Sequence, residues 1–240
     1  MKRIKYVTAI IVAAGESQRM GADKLMLALA GEPVLLHTLR AFEASPVISE
    51  IVVVARADMI EQVAELGGAN GITKLAKVIV GGKTRTESVQ NGMYAVSRRT
   101  KYIAIHDGAR PLVSQQIIRD AVHRAERYNA AAPAVPVKST IKQVKSSVVI
   151  ATPERVELYE VQTPQVFDAD LIKGAIAAAM QSGKQHTDDC AAVEAIGAAV
   201  HITKGSYENI KLTTPEDMIF AEMMLTIAAL RQIKEGDGTA

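Results

Sequence analysis

The chain has 240 residues, 48% hydrophobic and 22% charged, a length and balance that suit one large α/β domain or at most two small ones. With 28 Lys and Arg against 26 Asp and Glu it is no general coat for polyanions, though a local basic pocket stays open; with no Trp, three Phe and six Tyr it lacks the stacking platforms of a single-stranded nucleic-acid binder. The one cysteine, Cys190, can form neither an internal disulfide nor a multi-cysteine zinc site.

Basic Met1-Lys2-Arg3-Ile4-Lys5 leads into an apolar run that stops at Ala13-Ala14-Gly15. That run is too short to span a membrane and continues into a loop rich in chemistry, so a cytoplasmic protein is expected. Short β-branched runs then alternate with helical patterns, as in βαβ units around a mostly parallel sheet. Strands are expected over 4–12, 50–55, 76–80, 102–106 and 132–137, and again near 199–203 and 209–212. Ser114 caps a predicted helix whose inner face is Ile118, Ala121, Val122 and Ala125. From 138 to 159 the alternation breaks into polar, β-prone pieces (141–144 and 147–150) around a Lys145-Ser146 turn. Two strands alone are marginal in water, so this hairpin is expected to pack against something, a second subunit being the natural candidate. Near the end, Thr214-Pro215-Glu216-Asp217 supplies a cap, a first-turn proline and two carboxylates ahead of an apolar stripe, Ile219, Met223, Ile227 and Leu230. Residues 235–240 read as a frayed tail.

The chemistry gathers in loops that follow strands. After the first, Ala13-Ala14-Gly15 is followed by Arg19 and Lys24, two cations in one loop. Small residues there let a ligand approach backbone N–H groups that can cradle phosphate, although neither the Walker A nor the dinucleotide pattern is present. After the third strand, Gly81-Gly82-Lys83-Thr84-Arg85-Thr86-Glu87-Ser88 runs into a helix, where Arg85 and Ser88 can meet an anion or simply form a capped turn. After the fourth, His106-Asp107-Gly108-Ala109-Arg110-Pro111 puts a carboxylate where a phosphate-bridging Mg2+ is held, or where an Asp–Arg pair merely fixes the loop. His106 reads as a satisfied, partly buried histidine and not as a base, since phosphoryl-type transfer asks little acid–base chemistry of the protein. Three more polar clusters, Gln162-Thr163-Pro164-Gln165, His186-Thr187-Asp188-Asp189 and Glu208-Asn209-Ile210-Lys211, could each be a cap. In an open α/β sheet, however, loops after parallel strands share one edge, so Arg19, Lys24, Arg85, Arg110 and Lys211 are expected to converge with Asp107 on a small polyphosphate ligand.

Together these clusters resemble the 2-C-methyl-D-erythritol 4-phosphate cytidylyltransferase family. The matching stretches are Ala13-Ala14-Gly15 with Arg19-Met20 and Lys24, Gly81-Gly82-x-x-Arg85-x-x-Ser88-Val89, His106 to Pro111, and Val135-Pro136-Val137-Lys138-x-Thr140-Ile141-Lys142. They continue with Gln162 to Gln165, Thr187-Asp188-Asp189 and Asn209 to Thr213, in order across residues 7 to 225. The resemblance implies a Rossmann-like, mostly parallel sheet with helices on both faces, in one nucleotidyltransferase domain over 1–232 with a tail from 233 to 240. It implies a β-hairpin arm over 138–159 that dimerises the chain and lends Thr140 and Arg155 to the neighbour's site. Arg19 and Lys24 then stabilise charge on the CTP phosphates. Ala13, Ala14, Gly15, Gly82, Arg85, Ser88, Asp107 and Gly108 hold the nucleotide, and Asp107, with Asn209 as a second candidate, holds Mg2+. Arg110, Thr140, Thr163, Thr187 and Lys211 grip the sugar phosphate, which Arg155 and Lys211 aim. The chain departs from the family at Asp23-Lys24-Leu25-Met26, where Pro-Lys-Gln is usual, and at Ser139, where Asp is usual. A ribitol 5-phosphate cytidylyltransferase therefore stays open as an alternative, although Ala109-Arg110 and Thr140-Ile141-Lys142 lean toward the methylerythritol acceptor. A non-catalytic nucleotide-binding module is a third reading.

Overall fold

A computed structural model describes residues 5–15, 24–183 and 186–237. The apolar run at the start forms β1 (Val7–Ala13), and a small hairpin, β2 (Ala28–Leu29) with β3 (Glu32–Pro33), leads into α1 (Val34–Glu43). Next come β4 (Glu50–Ala55), α2 (Ile60–Ala69), β5 (Leu75–Val80), α3 (Arg85–Ala95) and β6 (Tyr102–Asp107). Helix α4 (Gln115–Tyr128) precedes β7 (Ala130–Pro136), β8 (Gln143–Lys145), β9 (Val148–Ala151), β10 (Tyr159–Val161) and β11 (Gln165–Asp168). The chain closes with α5 (Ala169–Ser182), α6 (Asp189–Ala195), β12 (His201–Lys204) and α7 (Pro215–Asp237).

Eight strands form one mixed sheet in the order β10-β7-β11-β6-β1-β4-β5, with β12 beside β7. The run β6-β1-β4-β5 is wholly parallel, and β12 is parallel to β7. Strand β1 is buried on both sides, so its alternate side chains feed two cores. Ala9, Ile11 and Ala13 face α1, α2 and α4, while Ile10 faces α3 and α5, and helices therefore cover both faces. On α4 the Ser114 side chain accepts the Ile117 N–H at 3.3 Å, and the predicted inner face is buried.

Four expectations need correction. Residues 209–212 are irregular: Leu212 N–H donates to Ala109 O, and the segment forms no ladder. Strands β10 and β11 were not foreseen; β11 is only four residues long, yet it lies antiparallel between β6 and β7 in the core. Helix α7 begins at Pro215 as expected, but its stripe faces outward, with Ile219 71% exposed, and Ala221, Met218 and Leu225 pack inward instead. The helix is apolar on more than one side, and the rotation is set at its start, where the Asp217 carboxylate accepts from Thr213 N–H, Thr213 Oγ1 and Thr214 N–H. It also continues through Asp237, because Gln232 to Glu235 are all competent helix formers. Residues 238–240 and Ile4 lie outside the described residues.

The segment around 138–159 does form a hairpin: β8 pairs antiparallel with β9 across Ser146 and Ser147, both at positive φ. Every residue of both strands is exposed.

Candidate active site

The carboxyl ends of β6, β1, β4 and β5 open on a cleft of about 600 Å³. Val12 to Gly15 form its floor, Ala55 to Ala57 and Val80 to Arg85 with Ser88 one wall, and Asp107, Ala109, Lys24 and Lys211 the other. Smallness is required here. A Cβ on Gly81 would sit 2.4 Å from Ala14 Cβ, and one on Gly82 2.2 Å from Glu87 Cβ. The Gly82 loop is folded onto the start of α3. Gly82 N–H donates to Ser88 Oγ at 3.1 Å, Lys83 N–H to Glu87 Oε2 at 2.7 Å, and Thr84 accepts the Glu87 N–H. The first turn of α3 thereby carries Arg85 at the cleft wall, where aligned N–H groups favour an anion.

Asp107 is the electrostatic centre. Lys211 Nζ lies 2.9 Å from its Oδ2, Arg110 Nε 3.6 Å from the same oxygen, and Arg85 3.6 Å from Oδ1. Burial works to raise its pKa, but Lys211, Arg85 and Arg110 outweigh burial and hold the carboxyl at about 2. It is thus ionised at neutral pH. Arg85 is shared with a second buried carboxylate, Asp189, at 2.8 Å. Burial opposes the Arg85 charge, and Asp189 and Asp107 more than offset it, raising its pKa.

Beneath this cluster lies a hydrogen-bonded corner. Asp107 N–H donates to Thr163 Oγ1 at 3.2 Å, and Thr163 Oγ1 contacts His106 Nδ1 at 3.0 Å. Asn209 Nδ2 donates to Thr163 O at 3.0 Å, while Arg110 donates to Asn209 O at 2.6 Å. These bonds lay the 209–211 segment beside the 107–110 loop and bring Lys211 to Asp107.

Of the residues picked from sequence, Ala13, Ala14, Gly15, Lys24, Gly82, Arg85, Ser88, Asp107 and Lys211 line the cleft, and Arg110 stands directly behind Asp107. Arg19 lies outside the described residues. Three others are absent from the cleft lining. Gly108 is buried, with its N–H given to Val12 O and its carbonyl to Thr38, so no N–H is left for a phosphate. Thr163 is buried with its hydroxyl committed to the corner. Asn209 is fully buried, with its Nδ2 turned onto Gln162 and Thr163 and its Oδ1 without a hydrogen-bond partner among the described residues. Thr187 is exposed just before α6. Thr140 and Arg155 sit on the exposed arm, where Arg155 donates to Lys138 O and borders a second hollow with Pro136, Val137 and Tyr159. Neither reaches this chain's own cleft lining. Sequence reasoning missed Arg56, which follows β4 onto the cleft wall, and the partnership of Asp189 with Arg85 and Gln165. Position after a parallel strand signalled the first; nothing in the spacing of Arg85 and Asp189 signals the second.

Among the described residues no cluster of three His, Cys, Asp or Glu could hold a metal. The single ionised carboxylate of Asp107 nevertheless suits Mg2+, which takes one or two protein carboxylates and completes its shell from phosphate oxygens and water. Asn209 is fully buried and absent from the cleft lining, yet its Oδ1 is a buried oxygen with no hydrogen-bond partner among the described residues, so it stays the second candidate.

An open α/β sheet whose parallel strand ends carry a cationic cleft around one carboxylate defines a nucleotide-handling domain. The family model for 2-C-methyl-D-erythritol 4-phosphate cytidylyltransferase matches residues 7–227, and the chain belongs to that family. A curated member from Desulforamulus reducens is 46% identical over 224 residues, 91% of this chain and 95% of its own. One from Halalkalibacterium halodurans is 44% identical over 220 residues, 91% and 96% of the two chains. The solved 4-diphosphocytidyl-2C-methyl-D-erythritol synthase of Anaerococcus prevotii superposes with a TM-score of 0.84 at 30% identity, covering 92% of this chain and 99% of that one. No helix among the described residues is long and apolar enough to cross a membrane.

Proposed function

We propose that the protein transfers CMP from CTP to 2-C-methyl-D-erythritol 4-phosphate, releasing pyrophosphate, as a step of non-mevalonate isoprenoid synthesis. The observation that carries this reading is the family match, which runs through every strand end that lines the cleft. A phosphate oxygen of the acceptor attacks the α-phosphorus of CTP. A new P–O–P linkage forms, the bond from the α-phosphorus to the α,β-bridging oxygen breaks, and its electron pair leaves on pyrophosphate. No protein nucleophile is needed, so catalysis consists of positioning and charge neutralisation.

The floor of small residues and the Gly82–Ser88 loop receive the nucleotide, and Lys24 faces the negative charge that builds on the phosphates; Arg19, outside the described residues, is assigned the same role from the sequence. Asp107 would hold Mg2+, which when bound would supply neutralisation of phosphate charge. Lys211 and Arg110 are assigned the cationic side of the acceptor pocket, and Thr187, exposed just before α6, is assigned a contact to the same acceptor. Thr163 serves that pocket indirectly, by fixing the Asp107 amide. The arm over 138–159 is assigned to a homodimer in which Thr140 and Arg155 complete the partner's cleft. Its support is a two-stranded sheet with every residue exposed, Val148 at 63%, which water alone does not stabilise. The reaction, which draws on CTP and a phosphorylated acceptor, is assigned to the cytoplasm.

Ser139, in the place of the usual Asp, keeps ribitol 5-phosphate as a second acceptor to test. Pyrophosphate release is followed with CTP and Mg2+ against each acceptor in parallel. Turnover with methylerythritol phosphate alone is expected. Turnover with ribitol phosphate alone replaces the acceptor, and silence with both, in a folded protein that binds CTP, overturns the catalytic reading.

A further inference from the structure

We propose that Asp189 is a positioning residue of the nucleotide cleft: Gln165 fixes its backbone N–H, and its carboxylate holds the Arg85 guanidinium over the cleft and off Asp107. This rests on the reading of the cleft as a CTP site.

Asp189 is 2% exposed, and a carboxylate that deep needs a partner to stay charged. Arg85 is that partner at 2.8 Å, and the same guanidinium group stands 3.6 Å from Asp107. Arg85 therefore lies between two carboxylates at ion-pair distance, with Asp188 acting more weakly, and is bound to the nearer. The nearer anion is fixed by the sheet. Gln165 Oε1 accepts from the N–H groups of Asp189 and Cys190, both at 3.1 Å, while its Nε2 donates to Asp188 Oδ2 at 2.9 Å. Gln165 belongs to β11 and pairs with Ile105, two residues before Asp107 on β6. One rigid strand thus sets both the carboxylate that holds Arg85 and the strand that ends in Asp107. Without Asp189, the carboxylate left within ion-pair distance of Arg85 is Asp107, already contacted by Lys211 and Arg110, with Asp188 acting from farther off. The guanidinium would then swing toward Asp107, leaving the wall of the nucleotide cleft and crowding the carboxylate that must remain open to a cation.

The test is a double-mutant cycle of Asp189→Asn and Arg85→Met, read by calorimetric titration of CTP with Mg2+ and by the KM and kcat of turnover. Asp189→Asn is expected to weaken CTP binding on the order of tenfold or more, the scale seen when a partner that orients a ligand-binding group is lost. Turnover at saturating CTP is expected to fall far less. In the Arg85→Met background the same substitution should change CTP affinity less than about twofold, because its only route to the nucleotide is gone. Unchanged CTP affinity in Asp189→Asn, or effects that multiply independently, overturns the proposal. Gln165→Met keeps Asp189 and Arg85 but frees the anchor, and serves if Asp189→Asn does not fold. It should weaken CTP severalfold, and unaltered affinity there is equally decisive against it. CTP binding is measured without acceptor, so the cycle stays readable even if no acceptor supports turnover.

Discussion

His106 makes a pH experiment possible beneath the active site. Its ring is fully buried, tilted against Phe42 at 4.8 Å between centroids, with Nε2 3.3 Å from Arg110 O and Nδ1 3.0 Å from Thr163 Oγ1. The Arg110 carbonyl can only accept, so Nε2 carries the proton and Nδ1 accepts from the Thr163 hydroxyl, which in turn accepts the Asp107 N–H. Burial, the largest influence, drives the His106 pKa from 6.5 down to about 3. Because the folded pKa is depressed, the folded protein stays neutral at this ring while the unfolded chain takes up a proton below about pH 6.5. The unfolded state then binds more protons, and stability falls as pH drops from 6.5 toward 3. At 1.36 kcal/mol per pH unit, the loss attributable to this one ring between pH 7 and pH 5 is about 2 kcal/mol. His106→Gln removes the titration. Urea unfolding of both proteins at half-unit steps between pH 7 and 5 isolates it, because all other titrations are common to the pair. The variant will be less stable throughout, having lost volume against Phe42, so the slope and not the offset is the measurement. Parallel curves for the two proteins would refute the argument that His106 is held neutral by burial.

Three further outcomes follow from the same geometry. Lys24→Ala should lower kcat about a hundredfold with an unchanged thermal midpoint, as when one charge-stabilising group is removed, and an equal fall in both would make Lys24 a structural residue. Gly82→Ala places a methyl 2.2 Å from Glu87 Cβ, so the loop must lift from α3, and CTP KM should rise by about tenfold or more with little change in the turnover of saturated enzyme. If the arm dimerises the chain, Val148→Asp should convert the dimer seen by sedimentation to monomer and abolish turnover. Mixing that variant with Lys24→Ala should restore no activity, since neither chain can supply the other's lost function without the interface.

Local chemistry in the sequence determined much of this protein. The strand Glu50–Ala55 and the cap at Ser114 were legible because an unbroken β-branched run and an Ser before a 3.6-residue period each have one economical conformation. The cleft itself was legible as well: parallel βα units must deliver their following loops to one edge, and that edge is where Lys24, Arg85, Asp107 and Lys211 meet. What each polar residue does on arrival was decided only by tertiary contacts. Gly108, Thr163 and Asn209 belong to the same motifs as the residues that line the cleft, yet the Gly108 N–H, the Thr163 hydroxyl and the Asn209 Nδ2 are taken by Val12, His106, Asp107 and Gln162, groups far away along the chain. Strand β11 was invisible because four residues carry too little periodicity, and it exists because β6 and β7 leave a gap between them. The outward stripe of α7 and the pairing of Arg85 with Asp189, 104 residues apart, have the same origin. Hydrophobic period and strand order are properties of neighbours in sequence, whereas helix rotation and the choice between two carboxylates are settled by which surfaces close packing brings together.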